Sequence, residues 1–162
     1  MSEALLAQLA AVTAERDRLL EELDQMAPRW RPLLQVTFEL HTVSEANEAE
    51  HYMARAKRTA RQKDATLAAL IMQAGGRVGP TLLAQHRRLL VTFVRLGSQP
   101  LDSDNLASSM KHVRDATAHW LGCDDNPAAP VRWNVDQEPH KRYRLRPYVR
   151  IEFHVPDPRS RR

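Results

Sequence analysis

The chain has one cysteine in 162 residues, Cys123, so no disulfide can form within it. No apolar run approaches the roughly 18 residues that would suggest a membrane span. No basic-then-apolar leader opens the sequence, and the expected compartment is a reducing cytoplasm with no membrane contact. Glycine is scarce, with five in all. Three of them fall in "AGGRVGP", which lacks both the G-K-[ST] ending of a phosphate-binding loop and the dinucleotide-binding spacing. A nucleotide cofactor is therefore not expected, and this stretch reads as a flexible connector. No internal repeat is visible.

What the chain does contain fits one globular domain. Hydrophobic residues make up 43% and charged residues 27% of the sequence, enough apolar material for one modest core. The net charge of +4 conceals an uneven distribution. Residues 1–28 carry six acids against two bases, whereas residues 29–162 carry 22 bases against 14 acids. The bases cluster at Arg55, Lys57, Arg58, Arg61 and Lys63, at Arg87 and Arg88, and at Lys141, Arg142, Arg144 and Arg146. Such clusters suit a polyanion, because each neutralised phosphate releases condensed counterions. An ordinary solvated surface would also produce them.

Apolar spacing divides the chain. Leu5, Leu9, Val12, Arg16, Leu19, Leu23 and Met26 alternate at four and three, a heptad seam interrupted by Arg16, which predicts a short coiled-coil helix over 1–28. Pro28 and Pro32 end it. Residues 33–42 alternate and are rich in β-formers, predicting a strand. An Ala-rich helix is expected from Asn47 to Gln73, stopped by Gly75 and Gly76. A second strand follows at 89–96. A helix from Leu106 to Leu121 places Leu106, Met110, Val113, Thr117, Trp120 and Leu121 on one face, with Gly122 past its end. "VRWNVDQ" and "RPYVRIEFHV" are expected to pair as a hairpin across a basic loop. The chain thus reads as α+β: a small mixed sheet of about four strands packed against two helices, with an N-terminal coiled-coil helix before it.

Four carboxylates flank the later helix. Asp102 and Asp104 follow the second strand, and two residues at i and i+2 of an extended chain point the same way, roughly 7 Å apart at about 3.3 Å per residue. A divalent cation can bridge such a pair, and Asp104 or Asn105 can equally serve as the helix N-cap. Asp124 and Asp125 lie beyond the helix, well away from the first pair unless the chain turns back. Asp115, four residues after Lys111, reads as half of an i, i+4 ion pair. His112 and His119 have no Cys or His at metal-binding spacing and read as surface side chains, and Cys123 as a small filler.

The run "PLDSDNLASSMKHVRDATAHWLGCDD" combines a D-x-D-N at a strand end, an amphipathic helix and then Asp-Asp. It resembles Holliday-junction resolvases of the RusA type and their phage-borne relatives. "ANEAEHYMARAKRTARQKDATLAAL" and the closing "VRIEF" extend the likeness over roughly residues 33–155. The resemblance implies a RusA-like endonuclease domain at 29–162 and a homodimer that nicks opposite strands of a four-way junction. It implies that Asp102, Asp104 and Asp125 bind Mg²⁺ or Mn²⁺ and are needed for cleavage, with Asp124 beside them. A family lysine near the helix start assists at the scissile phosphate. Ser108 stands at its usual place here and Lys111 one turn later, so either Lys111 substitutes for it or the lysine is lost. Arg55, Lys57, Arg58, Arg61, Lys63, Lys141 and Arg142 are the expected DNA contacts. Phosphodiester hydrolysis through carboxylate-held ions needs no Cys, Ser or His nucleophile. The competing expectation is a DNA-binding or assembly protein that keeps the fold with weak activity or none.

Overall fold

A computed structural model describes residues 12, 15, 29–43, 52–86, 88–124 and 130–157. Of the expected coiled coil, only Val12 and Glu15 are among these; both are helical and exposed, and the heptad seam otherwise lies outside the described residues. The chain falls into two units, one of residues 31–155 and one of residues 1–30 with 156–162. In the latter, the Asp157 N–H donates to the Arg29 carbonyl at 2.6 Å.

The larger unit is α+β. Its elements run β1 (Trp30–Glu39), α1 (Tyr52–Ala74), α2 (Val78–Gln85), β2 (Leu89–Gly97), α3 (Ser103–Leu121), β3 (Val131–Pro139), a single 3-10 turn (Lys141–Tyr143) and β4 (Tyr148–Pro156). The sheet order is β1-β4-β2-β3. β2 pairs parallel with β3, from Leu89 opposite Val131 to Gly97 opposite Pro139. It pairs antiparallel with β4, from Leu90 opposite His154 to Leu96 opposite Tyr148. The expected hairpin of the last two strands does not form. β4 lies between β1 and β2, and β3 takes the far edge. β2, α3 and β3 thus form a parallel crossover unit, for which a connection of helix length is required.

β1 begins three residues earlier than its alternation suggests and includes Pro32. As an edge strand it can lack one N–H without breaking a ladder on both sides. The Leu40 N–H donates to the Pro147 carbonyl at 3.0 Å, so the end of β1 meets the start of β4.

One face of the sheet carries the core. Val149, Ile151, Phe153 and Val155 alternate with partly exposed Arg150, Glu152 and His154 along β4, as a strand with one fully buried face should. Phe93 of β2 stacks on Trp133 of β3 with ring centroids 5.9 Å apart, and Trp120 of α3 lies 5.6 Å from Phe153. The expected apolar face of α3 is buried in full: Leu106, Met110, Val113, Thr117, Trp120 and Leu121. Truncating a buried phenylalanine of this kind costs about 3–5 kcal/mol.

The "AGGRVGP" stretch is not wholly a connector, because α2 starts within it. Pro80 sits in the first helical turn, where its missing N–H is no loss. Gly79 is where the backbones of α2 and α3 touch: a Cβ there would lie 2.2 Å from the Trp120 carbonyl oxygen. Only glycine allows that approach, which explains the residue better than flexibility does.

Candidate functional site

α3 starts one turn earlier than its apolar face suggests, and this changes how its aspartates are used. Asp102 is the N-cap, with φ −66° and ψ 167°. Its Oδ1 accepts the Asn105 backbone N–H at 2.9 Å and its Oδ2 the Asn105 side-chain amide at 2.8 Å. The cap is therefore Asp102 rather than Asp104 or Asn105, and Asp104 lies in the first helical turn instead of two residues along an extended chain. The Asn105 backbone N–H, followed by its side chain, holds the Asp102 carboxyl below its ordinary value. Asp102 and Asp104 are both exposed.

These oxygens suit a hard cation. The two Asp102 oxygens offer about four lone-pair sites; Asn105 takes one on each and the Asp104 backbone N–H also faces the carboxylate, so only part of that capacity is left for a ligand. Oxygen donors of this kind fit Mg²⁺, Mn²⁺ or Ca²⁺ rather than zinc. Among the described residues, no three of His, Cys, Asp and Glu converge. Asp125 lies outside the described residues.

Asp124 is described, and it does not join the first pair within one chain. α3 ends at Leu121 with Gly122 in the left-handed region at φ +74°, and Asp124 follows, exposed. The 19 residues of α3 span about 28 Å at 1.5 Å per residue. The chain does not double back: β3 starts beside Leu89, at the opposite end of β2 from Gly97.

The basic residues collect at the Asp102 end. α1 lies along α3 in the same direction, as three contacts in sequence order show. Thr59 Oγ1 is 3.2 Å from His112 Nε2, Lys63 Nζ is 3.1 Å from Asp115, and the Trp120 ring N–H donates to the Gly75 carbonyl at 3.3 Å. The first two turns of α1, with Arg55, Lys57 and Arg58, therefore lie toward the start of α3, while Arg61 lies between the levels of His112 and Asp115. The His140 N–H donates to the Gly97 carbonyl at 2.8 Å and brings the Lys141–Tyr143 turn to the same end of the sheet. Lys57, Arg58 and Arg61 line a cleft of about 810 Å³ together with Glu39, His41, Gln62, Arg144, Leu145 and Pro147. Gln62, nearly fully buried, donates from Nε2 to the His41 carbonyl at 3.2 Å and ties α1 to the segment after β1.

Other expected site residues do not line the cleft. Lys63 is held by Asp115, so it fastens α1 to α3; Asp115 pairs across the helices with Lys63 rather than with Lys111 as expected, and its basic neighbour along its own helix is His112 at 3.8 Å. Arg142 lies over the Tyr143 ring, 4.6 Å from its centroid, and donates to the Tyr143 hydroxyl, while Lys141 is exposed. Lys111 is exposed, seven residues after Asp104 and so on the same helical stripe. His119 is exposed as expected, but His112 is buried against α1. The signal for that was present: Ser109, His112 and Ala116 share a stripe whose small flanking side chains admit a neighbouring helix.

Protein-family models, curated proteins and solved structures were each compared with the chain, and none matches it.

Proposed function

We propose that the chain is a metal-dependent endodeoxyribonuclease that acts on branched DNA by paired nicks, in recombination or repair. The observation that carries this is the gathering of unlike charges at one end of the sheet. Asp102 and Asp104 begin α3 where β2 ends, and the basic first two turns of α1 and the 141–146 segment lie toward that same end. A polyanion drawn to the bases is thereby brought to two oxygen ligands. Ligands of parallel strand units commonly bind beyond the carboxyl ends of the strands, where this pair stands.

Asp102 and Asp104 would hold Mg²⁺ or Mn²⁺, which when bound supplies an activated water and offsets charge on the leaving oxygen. Lys57, Arg58, Arg61, Arg144 and Lys141 take phosphates. Lys111, two turns along the Asp104 stripe and roughly 10 Å further along the axis, offsets charge at a phosphate held between them. One α3 keeps Asp124 at its far end, so the Asp-Asp half of the acidic set is drawn from a second copy. A two-fold dimer places two such composite sites, as nicking both strands of a symmetric junction demands.

Chain mixing tests this arrangement. Asp104→Asn and Asp125→Asn chains should each fail to cut a labelled four-way junction. A heterodimer of the two retains one complete composite site and should give single nicks. If each chain built its own site, the mixture would remain inactive. The second reading is a DNA-binding protein without activity, favoured by the fact that capping α3 already accounts for Asp102. It predicts junction binding with no nick from any mixture or from the wild type.

A further inference from the structure

The cleft beside α1 has a feature that phosphate binding leaves unexplained. Leu145, 89% exposed, stands on its rim between the exposed Arg144 and Arg146. Single exposed leucines are common on protein surfaces, but this one is presented by a braced loop. His140 Nδ1 accepts the Arg142 N–H at 3.1 Å, and the Arg144 N–H donates to the Lys141 carbonyl at 3.2 Å. The Tyr143 and Tyr148 rings meet edge-on at 6.2 Å across the loop's two ends. Pro147 then fixes the chain as it enters β4, with its carbonyl taken by Leu40. The loop is thus shaped to hold an apolar side chain outward among cations.

We infer that the cleft seats one strand of base pairs opened at the branch point, and that Leu145 is the wedge that keeps the separated bases from restacking. This rests on the branched-DNA reading above and adds the form in which the DNA is held. Four bases, Lys57, Arg58, Arg61 and Arg144, face one acid, Glu39, as a groove following a single phosphate backbone would require. At about 810 Å³ the cleft has the size of an ordinary ligand pocket, roughly 300–1,000 Å³. A duplex, whose major groove alone is about 12 Å wide, does not enter a space of that size. Leucine is among the side chains used as wedges between base steps, where it compensates part of the lost stacking with apolar contact.

The test uses the full chain and a four-way junction carrying 2-aminopurine at the branch point, whose fluorescence rises on unstacking. Wild type should bind the junction in preference to linear duplex and raise the fluorescence. Leu145→Ala should still bind with the same salt dependence yet lose most of the rise, and Leu145→Met should keep it. The side chain is exposed, so Leu145→Ala should melt with wild type. An equal rise with Leu145→Ala, or no rise with bound wild type, overturns the wedge and leaves the branched-DNA reading standing. Equal binding of junction and duplex by wild type overturns that reading, and the wedge with it.

Discussion

The Asp102 carboxylate caps α3 by taking both the backbone N–H and the side-chain amide of Asn105, at 2.9 and 2.8 Å. A residue expected to bind a cation is also the one that starts the helix. The two uses are compatible because they occupy different lone pairs, but they confound a simple deletion.

Asp102→Ala should therefore lose cleavage and also lower the melting temperature, because it removes the cap of α3. Asp102→Asn keeps a good capping group and removes the negative oxygen. It should melt close to wild type while cleavage is lost, as followed by thermal melting beside a nicking assay. Equal cleavage by Asp102→Asn and wild type would leave Asp102 as a cap alone.

Lys57 and Arg61 face the cleft, whereas Lys63 is joined to Asp115. Replacing Lys57 and Arg61 with Ala should weaken binding to all DNA sequences alike. It should also lower the slope of log affinity against log salt by roughly one per lost contact. Lys63→Ala should leave that slope unchanged and lower the denaturation midpoint instead. A slope change with Lys63→Ala and none with the cleft pair would mean that α1 meets DNA by another face.

The pH dependence of stability has a traceable contributor outside the proposed site. Arg150 donates to Glu138 from both terminal nitrogens and to Glu152 from Nε at 2.6 Å. The hydrogen bond from Arg150 holds the Glu138 carboxyl below its ordinary 4.5. A lowered folded value means that the contribution is fully present above pH 4.5 and is lost as pH falls through the lowered value. Glu138 is 49% exposed, so screening keeps this below about 1 kcal/mol. Glu138→Gln should show a shallower loss of denaturation midpoint below pH 4.5, and less dependence on salt. An identical acid limb in both proteins would remove Glu138 from the balance.

Local patterns predicted local structure well. The alternation in β4 and the apolar stripe of α3 identified the buried sides of both elements, because burial against one neighbour imposes a period on the chain. Partner choice was not legible. The last two strands are separated by a short basic loop, which suggested a hairpin, yet β4 inserts between β1 and β2, a matter of long-range packing that no local spacing records. The first turn of α3 was missed for a related reason: Ser103, Asp104 and Asn105 carry no apolar periodicity, and only the Asp102 cap reveals the start. At the site, the basic residues of α1 were visible as a cluster. Their convergence with Arg144 was not, since 83 residues separate Arg61 from Arg144 in the chain.

The most direct measurement is cleavage of an end-labelled four-way junction by wild type and by Asp104→Asn, with Mg²⁺, Mn²⁺ or EDTA. Asp104 is exposed in the first turn of α3 and is not the cap, so its replacement removes the proposed ligand without removing the helix start. The account predicts paired nicks by wild type with either cation and none with EDTA. It predicts no cleavage by Asp104→Asn, with junction binding equal to wild type or tighter because a negative charge has left a polyanion site. Cleavage by Asp104→Asn at the wild-type rate, or no metal-dependent nick from wild type, would contradict it.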